Sequence, residues 1–223
     1  MVPNAWDAAS ARAVVAAGFP VVATRSAGVA EALGLADHEE APADEMLAAA
    51  ARIVRAVDVP VTVDFERGYG LAPAEIASAL ADVGAVGCNL EDTDHATGTQ
   101  VEPAAQADFI AAVRAAAPEL VINARVDTFI LALDIPQDAV VDEALARARV
   151  YVEAGADCVY PILLRERDAT AAFVAGIDAP VNVVASLPPD ELAELGVARI
   201  SYGPQLYRTA QAQLSDALAK IAR

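Results

Sequence analysis

Short apolar runs rich in β-branched residues alternate with longer alanine-rich stretches from one end of the chain to the other. The apolar runs predict strands at residues 2–4, 20–24, 59–65, 86–91, 120–125, 157–162, 180–185 and 199–202. The stretches between them predict helices near 7–18, 44–57, 73–83, 103–117, 138–154, 166–175, 189–195 and 204–222. Pro73 and Pro103 suit the first turn of a helix, and Gly84 and Gly155 fall where helices should end.

This alternation predicts the fold class. A strand followed by a helix, repeated with nearly continuous apolar strands, is typical of an α/β protein whose parallel sheet is covered by helices. Eight such units favour closure into a (β/α)₈ TIM barrel, built as one domain over residues 1–223 with a short first strand at the N-terminus. An open doubly wound sheet is the alternative. Because no strand is followed by a Gly-x-Gly-x-x-Gly turn, dinucleotide binding is poorly supported.

Composition narrows the partners and the compartment. The net charge of −17 disfavours nucleic acid and anionic membranes as partners. No apolar run reaches the ~18 residues of a membrane span, and no basic segment precedes an apolar stretch as in a secretory signal, so we expect a cytoplasmic protein. Cys88 and Cys158 both lie in apolar strand-like runs and are predicted to be buried thiols rather than a disulfide.

Scarce residue types exclude two kinds of chemistry. Lys220 is the only lysine and lies near the C-terminus, which argues against an enzyme that forms a Schiff base. His38 and His95 are the only histidines, which argues against a histidine-rich zinc site. Any metal is therefore expected to be a hard, oxygen-bound cation, Mg²⁺ or Mn²⁺.

Carboxylates gather at the ends of two neighbouring predicted strands. Asp64 and Glu66 lie two residues apart, so their side chains point to the same side of a strand. Glu91 ends the next strand, and TIM-barrel enzymes carry their chemistry at the C-terminal ends of strands. Like charges gathered in this way are costly unless a cation lies among them. Asp64, Glu66 and Glu91 are therefore predicted to hold a metal ion; pairing of the first two with Arg67 is the alternative.

Two further strand ends supply candidate substrate contacts. Arg125 is predicted to clamp a substrate carboxylate, because a guanidinium group matches a carboxylate bidentately; a structural ion pair with Asp127 is the alternative. The small residues Ser26, Ala27 and Gly28 either form an ordinary turn or present backbone N–H groups to an anionic oxygen.

Several single residues keep two interpretations. Asp37 either ends or solvates a loop or serves the site, and His95 is either a solvated loop residue or a proton-transfer group. Trp6 is either core or a wall of the substrate site. Tyr160 and Asn182 also fall at predicted strand ends.

Five ordered motifs carry a resemblance to a known family. They are Asn4-Ala5-Trp6-Asp7, Ala23-Thr24-Arg25-Ser26-Ala27-Gly28, Asp64-Phe65-Glu66-Arg67-Gly68-Tyr69-Gly70, Asn89-Leu90-Glu91-Asp92 and Asn123-Ala124-Arg125-Val126-Asp127. In this order they resemble the isocitrate lyase and phosphoenolpyruvate mutase superfamily. The resemblance continues to the last predicted strand and so covers nearly the whole chain.

The resemblance implies a TIM barrel that uses Mg²⁺ and binds 2-oxo acids or oxalate-like ligands. It implies that Asp64 is the direct metal ligand, and that Asp37, Glu66 and Glu91 act largely through water. The backbone of Ser26, Ala27 and Gly28 would bind carboxylate and enolate oxygens, and Arg125 would face the anionic groups of the substrate. Assembly into a homo-oligomer, through exchange of a C-terminal helix, is also expected from the family.

The sequence departs from the family in the segment after the fourth predicted strand. This segment, 92–102, lacks the cysteine of the isocitrate and methylisocitrate lyases and the lysine and asparagine of the mutases. We therefore expect a Mg²⁺-dependent lyase that cleaves a C–C bond of a small 2-oxo or 2-hydroxy di-acid through a pyruvate-type enolate. His95, Tyr160 or a water held by the metal would be the general acid.

The alternatives are a phosphonopyruvate or phosphoenolpyruvate mutase or hydrolase, a lysine-independent aldolase, and a catalytically silent barrel that binds 2-oxo acids.

Overall fold

The computed structural model describes residues 1–222. Its strands are β1 (Asn4–Ala5), β2 (Val22–Thr24), β3 (Val61–Asp64), β4 (Gly87–Glu91), β5 (Thr93–Asp94), β6 (Thr99–Gln100), β7 (Val121–Val126), β8 (Cys158–Pro161), β9 (Asn182–Val184) and β10 (Arg199–Ser201). Its helices are α1 (Ala8–Ala16), α2 (Ser26–Leu33), α3 (Ala43–Val54), α4 (Pro73–Val83), α5 (Pro103–Ala116), α6 (Thr128–Leu131), α7 (Gln137–Glu153), α8 (Arg167–Ala175), α9 (Pro189–Glu194) and α10 (Gln205–Ile221).

The parallel strands close into a barrel. Six of them pair in the order β1-β2-β3-β4-β7-β8, and β9 pairs in parallel with β10. Parallel bridges between Val159 and Val181 and between Val2 and Ser201 join these two groups at both edges. The predicted (β/α)₈ barrel is therefore confirmed, including its very short first strand, and the open sheet is not.

The two faces of the strands are chemically different. In the pairing of β4 with β7, Asn89 lies opposite Asn123 and Glu91 lies opposite Arg125, so these polar side chains share one face. The alternating positions, such as Leu90 and Ile122, belong to the main apolar core, in which the strands pack against the surrounding helices. Because successive side chains point to opposite faces, the apolar face holds the helices and the other carries a polar set that ends at the barrel mouth.

The structure adds three elements that the sequence did not predict. Residues 26–33, expected to begin as a turn, form helix α2, which ends at Gly34 with a left-handed backbone (φ 76°). The segment after β4 folds as an antiparallel hairpin of β5 and β6, and α6 follows β7 directly. Within residues 1–222 none of the helices combines the length and apolar character needed to cross a membrane.

An arginine ties together the end of the barrel opposite the mouth. The Arg114 side chain of α5 donates to the carbonyl oxygens of Gly155 (3.0 Å), Pro118 (2.8 Å) and Leu120 (2.8 Å). It also forms an ion pair with Asp157, whose carboxylate accepts from the backbone N–H of Ile122 in β7. The Arg114 side chain alone thus donates to backbone carbonyls of the loops that precede β7 and β8.

We expect Arg114→Met to lower the free energy of unfolding by about 2–3 kcal/mol, because it leaves several carbonyl oxygens and one carboxylate without their charged donor. Arg52→Met, on the exposed side of α3, makes the same chemical change and should cost less than about 0.5 kcal/mol. Urea titration of both variants gives the comparison, and equal losses would contradict this role for Arg114.

Candidate active site

The carboxylate of Asp64, at the C-terminal end of β3, is held in a fixed orientation. Oδ2 accepts a hydrogen bond from the Ser26 backbone N–H at 3.0 Å, and Oδ1 accepts from the Asn89 amide at 3.1 Å. The Asn89 carbonyl in turn accepts from Asn123 at 2.7 Å, and the Asp64 backbone N–H donates to Thr24 Oγ1 at 2.8 Å. Four strands therefore contribute to the position of this one carboxylate.

Glu66 lies just beyond β3 in a tight turn and is 2% exposed. Its backbone has a positive φ of 45°, a conformation that a non-glycine residue adopts only where the surroundings enforce it. The Tyr69 hydroxyl donates to Oε1, and the Glu39 backbone N–H donates to Oε2 at 2.9 Å. The Glu39 carboxylate accepts from the backbone N–H groups of Arg67 and Tyr69, so the α2–α3 loop and this turn are bound to each other.

Glu91 ends β4 between two basic side chains. Its Oε2 forms an ion pair with Arg125 NH1, and its Oε1 lies 2.6 Å from His95 Nε2. On the other side of the Arg125 guanidinium, Nε donates to Asp127 Oδ1 at 2.6 Å and Nη2 donates to Asp127 Oδ2 at 2.9 Å. The Arg125–Asp127 pair, an alternative in the sequence analysis, is therefore present. Burial raises the pKa of Glu91, and the Arg125 guanidinium opposes that rise.

A second buried acid, Asp92, supports this arrangement and was not assigned a role from the sequence. It accepts from the Asp127 backbone N–H at 2.9 Å, from the Tyr151 hydroxyl at 2.8 Å and from Gln100 at 3.1 Å. The Thr93 hydroxyl donates to the Asp127 carboxylate. The motif Asn89-Leu90-Glu91-Asp92 was the available signal, because adjacent acids on a strand must point to opposite faces.

The acids fit a divalent cation. Burial raises the pKa of Glu66 from its ordinary value of 4.5 to about 8, and the negative charges of Asp37, Glu91 and Asp64 add to the rise. The Oδ1 atom of Asp37 is buried without a hydrogen-bond partner among residues 1–222. A cation among these groups would offset the mutual repulsion and satisfy the free oxygen. Asp37, which the sequence left ambiguous, therefore lies near the other three acids.

Both histidines also reach this region, contrary to what their scarcity suggested. One ligand atom each from His38, Glu66 and His95 lie within 4.8 Å of one another. His95 Nε2 is 3.5 Å from Glu66 Oε2, and the two imidazole rings have centroids 5.0 Å apart. The expectation that any metal would have only oxygen ligands rested on the small number of histidines. The fold nevertheless brings both of them, from separate loops, to the same carboxylate, Glu66.

The amino end of α2 faces the same site. The Asp64 carboxylate accepts a hydrogen bond from the Ser26 backbone N–H. After Ser26, the first residue whose N–H donates to a backbone carbonyl of the helix is Val29, which bonds to the Arg25 carbonyl oxygen at 3.0 Å. The amides of Ala27 and Gly28 precede that bond, and the side chain of Arg25, the residue before the helix, forms no capping hydrogen bond. Such amides are ready donors for an anionic oxygen. Ser26, Ala27 and Gly28, which could have formed an ordinary turn, instead present these amides in the first turn of helix α2.

Three predicted residues remain, and Tyr160 is the one that lies opposite Arg125 in the pairing of β7 with β8. Trp6 packs edge-to-face against Tyr207 of α10 with ring centroids 5.1 Å apart, and borders a groove of about 640 Å³ between α1 and α10. Tyr160 is 5% exposed, and burial raises the pKa of its hydroxyl. Asn182 begins β9 rather than ending it, is fully buried and accepts from Ser201 at 3.1 Å. Its expected strand-end position is wrong because β9 starts only after Pro180 and Val181.

Comparisons with known proteins define the class. Residues 1–222 match the family model described as Phosphoenolpyruvate phosphomutase. "Probable 2-methylisocitrate lyase 2" of Corynebacterium glutamicum is 31% identical over 238 residues, which cover 99% of this chain and 75% of that protein. The chain therefore belongs to the phosphoenolpyruvate mutase family, within the isocitrate lyase and phosphoenolpyruvate mutase superfamily, and its homologues there are enzymes.

Solved structures agree. A "putative phosphonomutase" from Burkholderia cenocepacia J2315 is 45% identical with a TM-score of 0.91, over 98% of this chain and 92% of that chain. A phosphonopyruvate hydrolase in complex with oxalate and Mg²⁺ shares the fold with a TM-score of 0.88 at 24% identity, over 100% of this chain and 81% of that chain.

We expect Glu66→Gln to stabilise the metal-free protein at high pH. Because the folded-state pKa of Glu66, about 8, lies above its ordinary value of 4.5, the carboxyl destabilises the fold progressively as the pH rises between these values. Glutamine removes this penalty, and the Tyr69 hydroxyl can rotate to accept from its amide. Denaturant titration in EDTA should give no gain at pH 4.5 and a gain above about 1 kcal/mol at pH 8.

The matched control is Glu194→Gln on the exposed side of α9, which should change the free energy of unfolding by less than about 0.5 kcal/mol at both pH values. A Glu66→Gln variant without any gain at pH 8 would mean that the carboxyl is not strained by its neighbours.

Proposed function

We propose that this protein is a Mg²⁺-dependent lyase, with Mn²⁺ as a substitute, that cleaves a C–C bond of a small 2-oxo or 2-hydroxy di-acid through a pyruvate-type enolate. The observation that carries this proposal is the set of acids Asp64, Glu66 and Glu91 beside the free amides of α2. Family membership supports it, since relatives include a probable 2-methylisocitrate lyase.

Asp64 would be the direct protein ligand of the metal, and Asp37, Glu66 and Glu91 would support it. Bound Mg²⁺ would act as a Lewis acid on the substrate's 2-oxo and carboxylate oxygens, a contribution of several kcal/mol. The hydrogen bonds from Ser26 and Asn89 leave the Asp64 carboxylate one orientation, so little reorganisation is needed when substrate binds.

The first turn of α2 would stabilise the charge that develops as the bond breaks. The Ala27 and Gly28 amides are fixed by the helix and lie beside the residue that holds Asp64. One well-placed donor of this kind contributes about 3 kcal/mol to the transition state. A side chain on Gly28 would press against Trp6, because an added Cβ would lie 3.3 Å from Trp6 Cβ.

Arg125 would orient the far carboxylate of the substrate. Asp127 binds its Nε and NH2, which fixes the plane of the guanidinium group, while NH1 is turned towards Glu91 at the mouth. A substrate carboxylate would share NH1 with Glu91. Positioning of this kind lowers the entropic cost of reaction.

His95 is the best candidate for the general acid. Its Nε2 atom contacts Glu91 at 2.6 Å, and its side chain is 11% exposed, so it is oriented and close to the acids. Tyr160 is less suited, because burial raises the pKa of its hydroxyl further above neutrality. His95 would donate its proton to the carbon atom of the enolate, and Glu91 would orient the imidazole.

A phosphonopyruvate or phosphoenolpyruvate mutase or hydrolase is the second candidate, and the phosphonomutase relative of 45% identity favours it. The hairpin of β5 and β6 favours neither reaction over the other, because it brings neither the cysteine expected of the lyases nor the lysine expected of the mutases to the mouth. Phosphorus NMR of phosphonopyruvate incubations would distinguish P–C from C–C cleavage.

We expect Asp64→Asn to lower Mg²⁺-dependent turnover by at least about 100-fold, since the direct metal ligand is lost. The assay is a panel of oxaloacetate, 2-methylisocitrate and phosphonopyruvate with and without EDTA. Asp82→Asn on the exposed face of α4 makes the same change away from the mouth and should leave turnover unaltered. Full activity of Asp64→Asn would refute the site. Oxalate binding without turnover of any substrate would instead support a silent binding barrel.

Arg125→Lys should lower kcat/KM by about 10- to 100-fold on the active substrate, because lysine cannot bind Asp127 and a substrate carboxylate with one rigid plane. Arg208→Lys on exposed α10 is the control. An unchanged kcat/KM in Arg125→Lys would mean that the arginine only balances the charges of its two buried neighbours.

A further inference from the structure

We propose that His38, Glu66 and His95 form a second cation site, which shares Glu66 with the Asp64 site but has different ligands, and that it takes a transition-metal ion such as Zn²⁺ or Co²⁺. It goes beyond the proposed function, because it requires no turnover. Imidazole nitrogen with one carboxylate is a donor set that suits these ions and not Mg²⁺. The three residues contribute two nitrogens and one oxygen at the mouth of the barrel.

One separation between ligand atoms already matches that of an occupied site. Two ligands each ~2.1 Å from one ion at tetrahedral angles lie about 3.4 Å apart. His95 Nε2 and Glu66 Oε2 are 3.5 Å apart, and all three ligand atoms lie within 4.8 Å of one another. Small rotations of the exposed His38 side chain would complete the set. His95 would exchange its contact with Glu91 for the ion.

The surroundings of the three residues suit a metal site. Glu66 is held by the Tyr69 hydroxyl and the Glu39 backbone N–H, so one carboxylate is preorganised by outer partners. The buried, unpartnered Oδ1 atom of Asp37, next to His38 in the chain, adds negative charge near the site. His38 is exposed, which leaves an entry path for the ion.

Binding would join two segments that cover the mouth. His38 belongs to the loop between α2 and α3, and His95 belongs to the hairpin of β5 and β6. These two segments are separate in sequence and meet at Glu66. An ion held by both would restrict their opening, and it would also remove His95 from proton transfer. A transition metal at this site would therefore regulate the barrel mouth rather than take part in chemistry there.

The test is a Co²⁺ titration of the metal-free protein in the presence of excess Mg²⁺, followed by visible absorption. We expect one Co²⁺ per chain, with the intense bands of a low-coordinate site that has nitrogen ligands. His38→Asn should weaken Co²⁺ binding by at least 10-fold and remove those bands. Asparagine tolerates the left-handed backbone of this position (φ 64°), so the variant should fold. His95→Asn should have the same effect.

Asp64→Asn separates this proposal from the proposed function. It should abolish Mg²⁺-dependent turnover and leave the Co²⁺ bands intact. The proposal is overturned if Co²⁺ binding has the weak spectrum of an all-oxygen site, if it is unaffected by His38→Asn, or if it disappears in Asp64→Asn while the histidines are intact. Each of these outcomes would mean that Co²⁺ occupies the Asp64 site alone.

Discussion

The ion pairs of Arg125 with Glu91 and Asp127 are the constraint on which the mouth of this barrel depends. They place one cation between two acids that are each 1% exposed, at the ends of neighbouring strands. Breaking such a buried arrangement is costly, because it leaves a charge without its partner. The balance is also incomplete: with Asp37, Asp64 and Glu66 nearby, one guanidinium cannot neutralise the group. The remaining negative charge is what makes the site suited to a divalent cation.

The fold was predictable because its signal repeats. Each strand is a short apolar run and each main helix follows the helical period, so errors at single boundaries do not change the topology. The start of helix α2 was missed because Ser26 and Gly28 are weaker helix formers than alanine and, with the small Ala27 between them, resemble a turn. Its later residues, and Gly34 at its end, carried the helical signal. The hairpin of β5 and β6 has only two residues in each strand, too few for a period to be visible.

The candidate site was predictable in part. Strand ends alone were enough to bring Asp64 and Glu91 to one end of the sheet. Glu66 reaches the same place from the turn beyond β3, where the strand alternation expected for it does not apply. The meeting of His38 with His95 was not, because it depends on two irregular loops whose paths the hydrophobic pattern does not specify. Asp92 was visible as a residue but not as a support for Asp127. That role depends on a hydrogen bond from the backbone N–H of Asp127, and a sequence does not reveal which backbone groups a side chain will meet. Family membership relates the chain to both lyases and a phosphomutase.

Arg114 has a consequence for how such a barrel can change over time. The carbonyls it satisfies lie at the closed end, where nothing in the candidate chemistry takes place. Substitutions in the hairpin or the α2–α3 loop therefore act on the mouth without loosening the far end. Residues of the hairpin and the α2–α3 loop can therefore be substituted during evolution, and the substrate can change with them, while each intermediate sequence still folds. The departure that bears on the reaction, the missing cysteine, lysine and asparagine of segment 92–102, falls in and around the hairpin, on the permissive side of that division.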